Sequence, residues 1–374
     1  MNQAAGTLAA RFARLITNTG PISLAHYMAE ANAHYYTTRD PLGVTGDFIT
    51  APEISQMFGE LIGLWLADMW IEAGRPEPIH YVELGPGRGT LALDALRAME
   101  RYGLHPKVHF VETSTPLKAL QLDAHPRALW HADMSTLPDS GPLLIVANEF
   151  FDALPVRQLV RTPDGWRERM VALAPGGGQT LPPAGGALPP AGGALPPAGG
   201  ALIAIAGDRP MDAVVPETHR HAPEGSLIET SPASAAVAYE IAGRLATQGG
   251  AALLIDYGHT APQLGSTLQA VRAHRKVDVF ATPGDADLTA HVDFSALAGI
   301  VQARGVRWLG TVEQGRWLRA LGIEARADAL AHHAPAHAQA FRDACERLIG
   351  EGQMGALFKV MGLAGSDWPA GAGF

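Results

Sequence analysis

Three glycines stand at every second position behind an acid in Val82-Glu83-Leu84-Gly85-Pro86-Gly87-Arg88-Gly89, where a short apolar run gives way to a helical pattern. Glycines at such a junction let the backbone come close to a ligand, and the first turn of the helix offers unpaired N–H groups. Further on, Glu112 ends a second apolar run, where a carboxylate can accept hydrogen bonds from two neighbouring hydroxyls. Ala132-Asp133-Met134 follows a third run, and Asn148-Glu149-Phe150-Phe151-Asp152 closes a fourth. Glu149 and Asp152, three residues apart beside two aromatics, have the chemistry to clamp a guanidinium through charge-assisted bidentate hydrogen bonds and to take up a proton from it. Each of these residues also has a plainer reading. Glu112 is then one of many acids that end strands, Asp133 caps the turn before Ser135-Thr136-Leu137-Pro138, and Glu149 and Asp152 cap the turn after their strand while the phenylalanines fill the core.

The elements that must position these groups alternate. Apolar runs at 79–85, 108–113, 143–149 and 251–257 have turn signals at their ends and read as strands of a parallel sheet covered on both faces. A shorter strand is read in Ala128-Leu129-Trp130-His131-Ala132, and the stretch 89–103 is helical. Gly305–Thr311 and Gly355–Leu363 read as two further strands that complete a mixed sheet of seven. Before the sheet, residues 7–36 read as two helices interrupted at Asn18-Thr19-Gly20-Pro21. Thr50-Ala51-Pro52-Glu53 has capping-box spacing with a proline in the first turn, and predicts one long buried helix that continues through ISQMFGELIGLWLADMWIEAG. Asp293 reads as the N-cap of a helix over Phe294–Ile300.

The alternation stops between about 157 and 228. A hairpin is predicted around Pro163-Asp164-Gly165, and Leu-Pro-Pro-Ala-Gly-Gly-Ala then occurs three times in tandem at 181–201, a composition that cannot bury a core. The chain accordingly divides into an N-terminal helical addition with a loop (1–76), a first core segment (77–156), a β-rich insertion (157–228) and a second core segment (229–374).

With 47% hydrophobic and 17% charged residues the chain can bury a sizeable core, and its net charge of -9 argues against a dedicated nucleic-acid binder. A single cysteine, Cys345, excludes an internal disulfide and reads as a packing residue on a helix. The histidines His259, His274 and His291 match no helical metal motif, so no metal is expected. No apolar run approaches the ~20 residues that span a bilayer. The N-terminus lacks a secretory pattern, and Arg11 and Arg14 alone do not make a mitochondrial presequence, so a cytoplasmic protein is expected.

A dinucleotide fingerprint would need a third glycine at position 90, which is threonine. The spacing here, three alternating glycines behind Glu83, is similar to that of class I methyltransferases. Beyond that turn, the sequence resembles the MidA-like family of S-adenosylmethionine-dependent methyltransferases, which includes a mitochondrial arginine methyltransferase that assists assembly of respiratory complex I. The resemblance rests on residues 35–63, 82–91, 148–158, 253–259 and 288–294 and covers most of the chain outside the insertion. It implies a Rossmann-like α/β core with S-adenosyl-L-methionine as cofactor, and a loop carrying Gly46, Asp47 and Thr50 that closes over it. The cofactor residues are then Gly46, Thr50, Glu83, Gly85, Gly87, Gly89, Glu112, Asp133, Met134 and Asn148, with Glu149 and Asp152 catalytic. The implied acceptor is an arginine of a protein, such as a complex I subunit or its bacterial counterpart. A small-molecule N- or O-methyltransferase and a non-enzymatic assembly factor on the same fold are the alternatives.

Overall fold

The computed structural model describes residues 7–38, 49–175, 200–272 and 275–374. Gly46 and Asp47, the repeats up to residue 199 and His274 lie outside the described residues. Two compact units emerge from the contacts. One comprises Met1–Thr38, Ala153–Ala233 and Pro262–Ala290, the other Arg39–Asp152, Ser234–Ala261 and His291–Phe374.

The second unit holds the predicted mixed sheet. Its seven long-order strands, numbered along the chain, are β1 (His80–Leu84), β2 (Lys107–Val111), β3 (Leu129–His131), β4 (Leu143–Asn148), β5 (Gly250–His259), β6 (Arg307–Glu313) and β7 (Phe358–Ala364). They lie in the order β3-β2-β1-β4-β5-β7-β6, and the two-residue strand Val292–Asp293 runs parallel beside the end of β5. The neighbours from β3 to β5 pair in parallel, whereas β7 is antiparallel to both β5 and β6. Every residue of β1 and β4 is buried, as expected of strands covered on both faces.

One cover is formed by α1 (Gln56–Glu72) against α2 (Thr90–Glu100). The two helices approach closely because position 63 is glycine, and a Cβ there would collide with the backbone of Ala95. Two more helices matter below, α3 (Thr115–Ala124) and α4 (Pro232–Gln248). The expected single helix from Thr50 is broken. A short helix spans Ala51–Ile54, Ser55 is extended, and its hydroxyl accepts from the Met57 N–H at 3.2 Å to start α1 anew. Thr50 makes no side-chain cap, and Glu53 does not close the predicted box, because its carboxylate accepts from the Thr90 hydroxyl at 2.5 Å instead. Cys345 is free and buried in the helix Ala338–Ile349.

In the first unit the helices Leu8–Thr19 and Leu24–Thr38 flank the short strand Ile22–Ser23. The predicted hairpin is present as Arg157–Thr162 and Gly165–Leu173, with Thr162 paired to Gly165. Leu202–Pro210 and Leu227–Thr230 extend it on either side. Ile22 pairs with Val171, so the sheet draws the N-terminal helices into one unit with the inserted segment. Leu8, Phe12, Leu24, Tyr27, Val171 and Leu288 share its core. The contacts divide the chain after residues 38, 152, 233, 261 and 290, so the N-terminal helices and the inserted segment fall in one unit.

Candidate active site

In an open parallel sheet, ligands bind outside the carboxyl ends of the strands where the strand order reverses. Here that point lies between β1 and β4, since the chain proceeds from β1 outward to β3 and then returns to β4 on the other side of β1. The predicted residues follow those strand ends in spatial order: Asp133 and Met134 after β3, Glu112 after β2, the glycine turn after β1, and Asn148 to Asp152 at β4.

Gly85, Gly87 and Gly89 all adopt positive φ, at 61°, 56° and 82°. Gly85 could not be replaced freely, because a Cβ there would stand 2.9 Å from the Phe150 ring. Gly89 is the N-cap of α2. Upstream, Glu83 is buried within β1 and accepts from the Tyr81 hydroxyl at 2.6 Å. Burial pushes its carboxyl up to about 8 despite that bond, so it holds a proton at neutral pH.

Glu112 is oriented by its own chain. Oε1 accepts from the Thr113 and Ser114 N–H groups at 2.8 and 2.7 Å. Burial raises its pKa, and those two donors pull the other way. Gln121 on α3 ties this acid to the glycine turn: its Nε2 donates to the Gly87 carbonyl at 2.7 Å and to Glu112 Oε2 at 3.3 Å, while its Oε1 accepts from Trp130 Nε1 at 2.8 Å. Sequence reasoning passed over Gln121. The available signal was its place four residues after Leu117, on the buried face of an otherwise exposed helix.

Asp133 is exposed and caps its own 3-10 turn, accepting from the Ser135 N–H at 2.8 Å and the Ser135 hydroxyl at 2.5 Å. These bonds hold its carboxyl below the usual range, led by the Ser135 hydroxyl. Its neighbour Met134 is buried.

At β4 the geometry departs furthest from ordinary turns. Asn148 is buried, its Nδ2 donates to Glu149 Oε1 at 3.2 Å, and its Oδ1 has no hydrogen-bond partner among the described residues. Glu149 has a φ of 51°, rare for a residue with a side chain. Its Oε1 accepts from the Ala51 N–H at 2.9 Å. The carboxylate thus caps a helix distant in sequence, Ala51–Ile54, and takes the place that the Thr50 side chain leaves vacant. Burial pushes Glu149 up to about 7, and the nearby Asp152 adds to the rise.

Asp256, also absent from the sequence-derived set, organises the turn. It is 0% exposed, and its Oδ2 accepts from three successive N–H groups, of Phe150, Phe151 and Asp152, at 3.1, 2.9 and 3.1 Å. Its Oδ1 accepts from the Tyr257 N–H at 3.0 Å. Burial drives its pKa well above the ordinary carboxylate value, with Asp152 and Glu149 contributing repulsion. Glu149, buried Asp152 and Asp256 therefore form a cluster of acids at adjacent strand ends. Arg347 is the cation that lowers Glu149.

His259 and His291 lie near the end of β5. His259 Nδ1 is 2.7 Å from the Ala261 carbonyl, and His291 meets the Tyr257 ring edge-on at 5.5 Å. Asp293 caps Phe294–Ala303 as expected, accepting from the Ser295 and Ala296 N–H groups. Among the described residues no helix is long and apolar enough to cross a membrane.

Residues 61–312 match a family of S-adenosyl-L-methionine-dependent methyltransferases. The mouse mitochondrial protein arginine methyltransferase NDUFAF7 is 35% identical over 93% of this chain and 82% of its own length. The Drosophila melanogaster homolog is 35% identical over 96% of this chain and 85% of its own. Among solved structures, a superfamily member from Burkholderia thailandensis bound to S-adenosyl-homocysteine is similar with a TM-score of 0.77 and 27% identity, covering 96% of this chain and 91% of that one.

Proposed function

This chain belongs to the family of S-adenosyl-L-methionine-dependent methyltransferases, and we propose that the acceptor of its methyl group is an arginine of a protein. The observation that carries the proposal is the acid cluster at β4 and β5. Glu149 and Asp256 are held at raised pKa values by burial and by repulsion from Asp152, a state that a guanidinium placed among them relieves. The name printed for the NDUFAF7 relatives, protein arginine methyltransferase, agrees with that chemistry.

Several features fit the cofactor. The glycine turn admits a ligand against the backbone, Glu112 is presented by two N–H groups, and Asn148 has a buried acceptor atom still to be satisfied. In this reading Gly85, Gly87, Gly89, Glu83 and Asn148 line the methionine end, Glu112 accepts from the ribose hydroxyls, and Asp133 and Met134 hold the adenine. Gly46 and Thr50 complete the proposed cofactor set. When bound, S-adenosylmethionine supplies an electrophilic methyl group whose S–C bond breaks with its electrons left on sulfur. Glu149 and Asp152 orient the guanidinium so that one nitrogen faces that methyl, and Glu149 accepts the proton that this nitrogen loses. A pKa of about 7 suits a base that must be ionised to bind a cation and yet hold a proton afterwards.

The protein substrate in this proposal is a subunit of respiratory complex I or its bacterial counterpart. The compartment in this proposal is the bacterial cytoplasm or, in a eukaryotic cell, the mitochondrial matrix; the printed names of the relatives say mitochondrial. The test is transfer of an isotope-labelled methyl group from S-adenosylmethionine to proteins of a bacterial extract, with mass spectrometry of the modified residues. Label on arginine, absent with Glu149→Gln, supports the proposal. Label on lysine or on small molecules alone overturns it.

A further inference from the structure

Three imidazoles cross the sheet side by side. His80 opens β1, His109 lies within β2 and His131 ends β3. Nδ1 of His80 is 3.0 Å from Nε2 of His109, and Nδ1 of His109 is 3.0 Å from Nε2 of His131. At the ends of the row, His80 Nε2 is 3.1 Å from the Ser140 carbonyl and His131 Nδ1 is 2.8 Å from the Thr136 hydroxyl.

Burial lowers the pKa of all three, that of His109 to about 4, so the row is neutral under ordinary conditions. A neutral imidazole has one donor and one acceptor nitrogen. The Ser140 carbonyl only accepts, so the His80 hydrogen is on Nε2, and its Nδ1 must accept. His109 and His131 then also carry their hydrogens on Nε2, and the Thr136 hydroxyl donates to His131. One proton arrangement satisfies every link.

Both ends of the row fall on the same connection, residues 132–141 between β3 and β4, which begins with Asp133 and Met134. From α4 the same connection receives Arg244 Nη2 on the Met134 carbonyl at 2.6 Å. Gln248 Nε2 also reaches the Pro138 and Gly141 carbonyls, both at 3.0 Å. A shift of this connection would leave buried ring nitrogens unpaired, which is costly.

We propose that His80, His109 and His131 are positioning residues that hold the 132–141 connection against the cofactor cleft and thereby set affinity for the adenosine half of the methyl donor. The inference rests on the assignment of Asp133 and Met134 to adenine made above. Nothing in the chemistry of methyl transfer needs this row; its effect lies in binding.

The test uses the whole chain with Thr136→Val, which removes the terminal donor at an exposed position, and His109→Phe, which removes both central links. Calorimetry with S-adenosylhomocysteine and with adenosine should show both dissociation constants raised about tenfold. KM for the methyl donor should rise in parallel while kcat stays within about twofold, the pattern of lost uniform binding. Nitrogen NMR of the wild-type imidazoles should show three Nε2–H tautomers. Variants that fold and bind both ligands as the wild type does overturn the proposal, as does a loss seen with S-adenosylhomocysteine but not with adenosine. If His109→Phe does not fold, Thr136→Val decides alone. Unchanged adenosine affinity in Met134→Ala overturns the adenine assignment itself, and the proposal with it, whatever the histidine variants do.

Discussion

Glu149 combines a positive φ, a helix cap and a raised pKa in one residue, and under the proposed function the raised pKa pulls stability and activity in opposite directions. Its carboxyl is near 7 in the folded chain against an ordinary 4.5. The folded state therefore binds more protons than the unfolded one between those values, and stability falls as pH rises through that window. Glu149→Gln keeps an oxygen for the Ala51 N–H but removes the charge. Denaturant unfolding should show the variant more stable at pH 8.5, by at most about 3 kcal/mol, and little changed at pH 4.5. The same variant should lose about 10²- to 10⁴-fold in methyl transfer while retaining S-adenosylhomocysteine binding. In the wild type kcat/KM should climb tenfold per pH unit below about 7 and level off above it. A flat profile over that range would remove Glu149 as the base. Asp256 acts one step back, through the three N–H groups it gathers. Asp256→Asn puts an amide donor among those N–H groups, and it should lower kcat about 100-fold by misplacing the turn, with cofactor affinity retained. Equal losses in kcat and cofactor binding would instead mean that the whole β4 end has collapsed.

At the level of elements, the glycine turn was legible in the sequence because every property it needs is local: an apolar strand, three glycines, then a helix. Gly85→Ala tests it. The left-handed backbone alone costs about 1–2 kcal/mol for a residue with a Cβ. The added methyl must also displace Phe150, so calorimetry should find S-adenosylhomocysteine binding abolished while the fold survives. The break between Ala51–Ile54 and α1 was not legible, because its cause is distant. Thr50 has the right chemistry for a cap, but Glu149 reaches the Ala51 N–H from 98 residues away and Thr90 claims Glu53. Ser55 then starts the long helix, and Ser55→Ala should destabilise the chain by about 1 kcal/mol in thermal or denaturant unfolding. Gln121 and Asp256 escaped for the same reason. Gln121 shared a helix face with Leu117, but the partners of both residues are set by the sheet order, which no local pattern announces.

For the whole molecule, the alternation of strand and helix carried the core's architecture, since each strand's apolar run is complete within itself. The placement of β7 between β5 and β6, and the pairing of Ile22 with Val171, depend on contacts between distant stretches that no local pattern announces. Charge is the one property of the entire chain that reads directly from sequence, and it bears on the acceptor. With 28 basic and 37 acidic residues the net charge is -9, a sign that attracts a basic segment. Under the proposed function, a substrate segment rich in arginine is therefore drawn to the enzyme over distances that salt screens, whereas the proposed clamp on one guanidinium is short-ranged. Raising sodium chloride from 0.05 to 0.5 M should raise KM for a basic arginine peptide several-fold, roughly in step with a Debye length that shrinks from about 14 to about 4 Å. Over the same range kcat and the affinity for S-adenosylhomocysteine should change less than about twofold, because neither depends on long-range attraction of a basic segment. A KM that ignores salt would mean that the contacts of the clamp alone select the substrate, and that the acidic surface has no part in bringing it there.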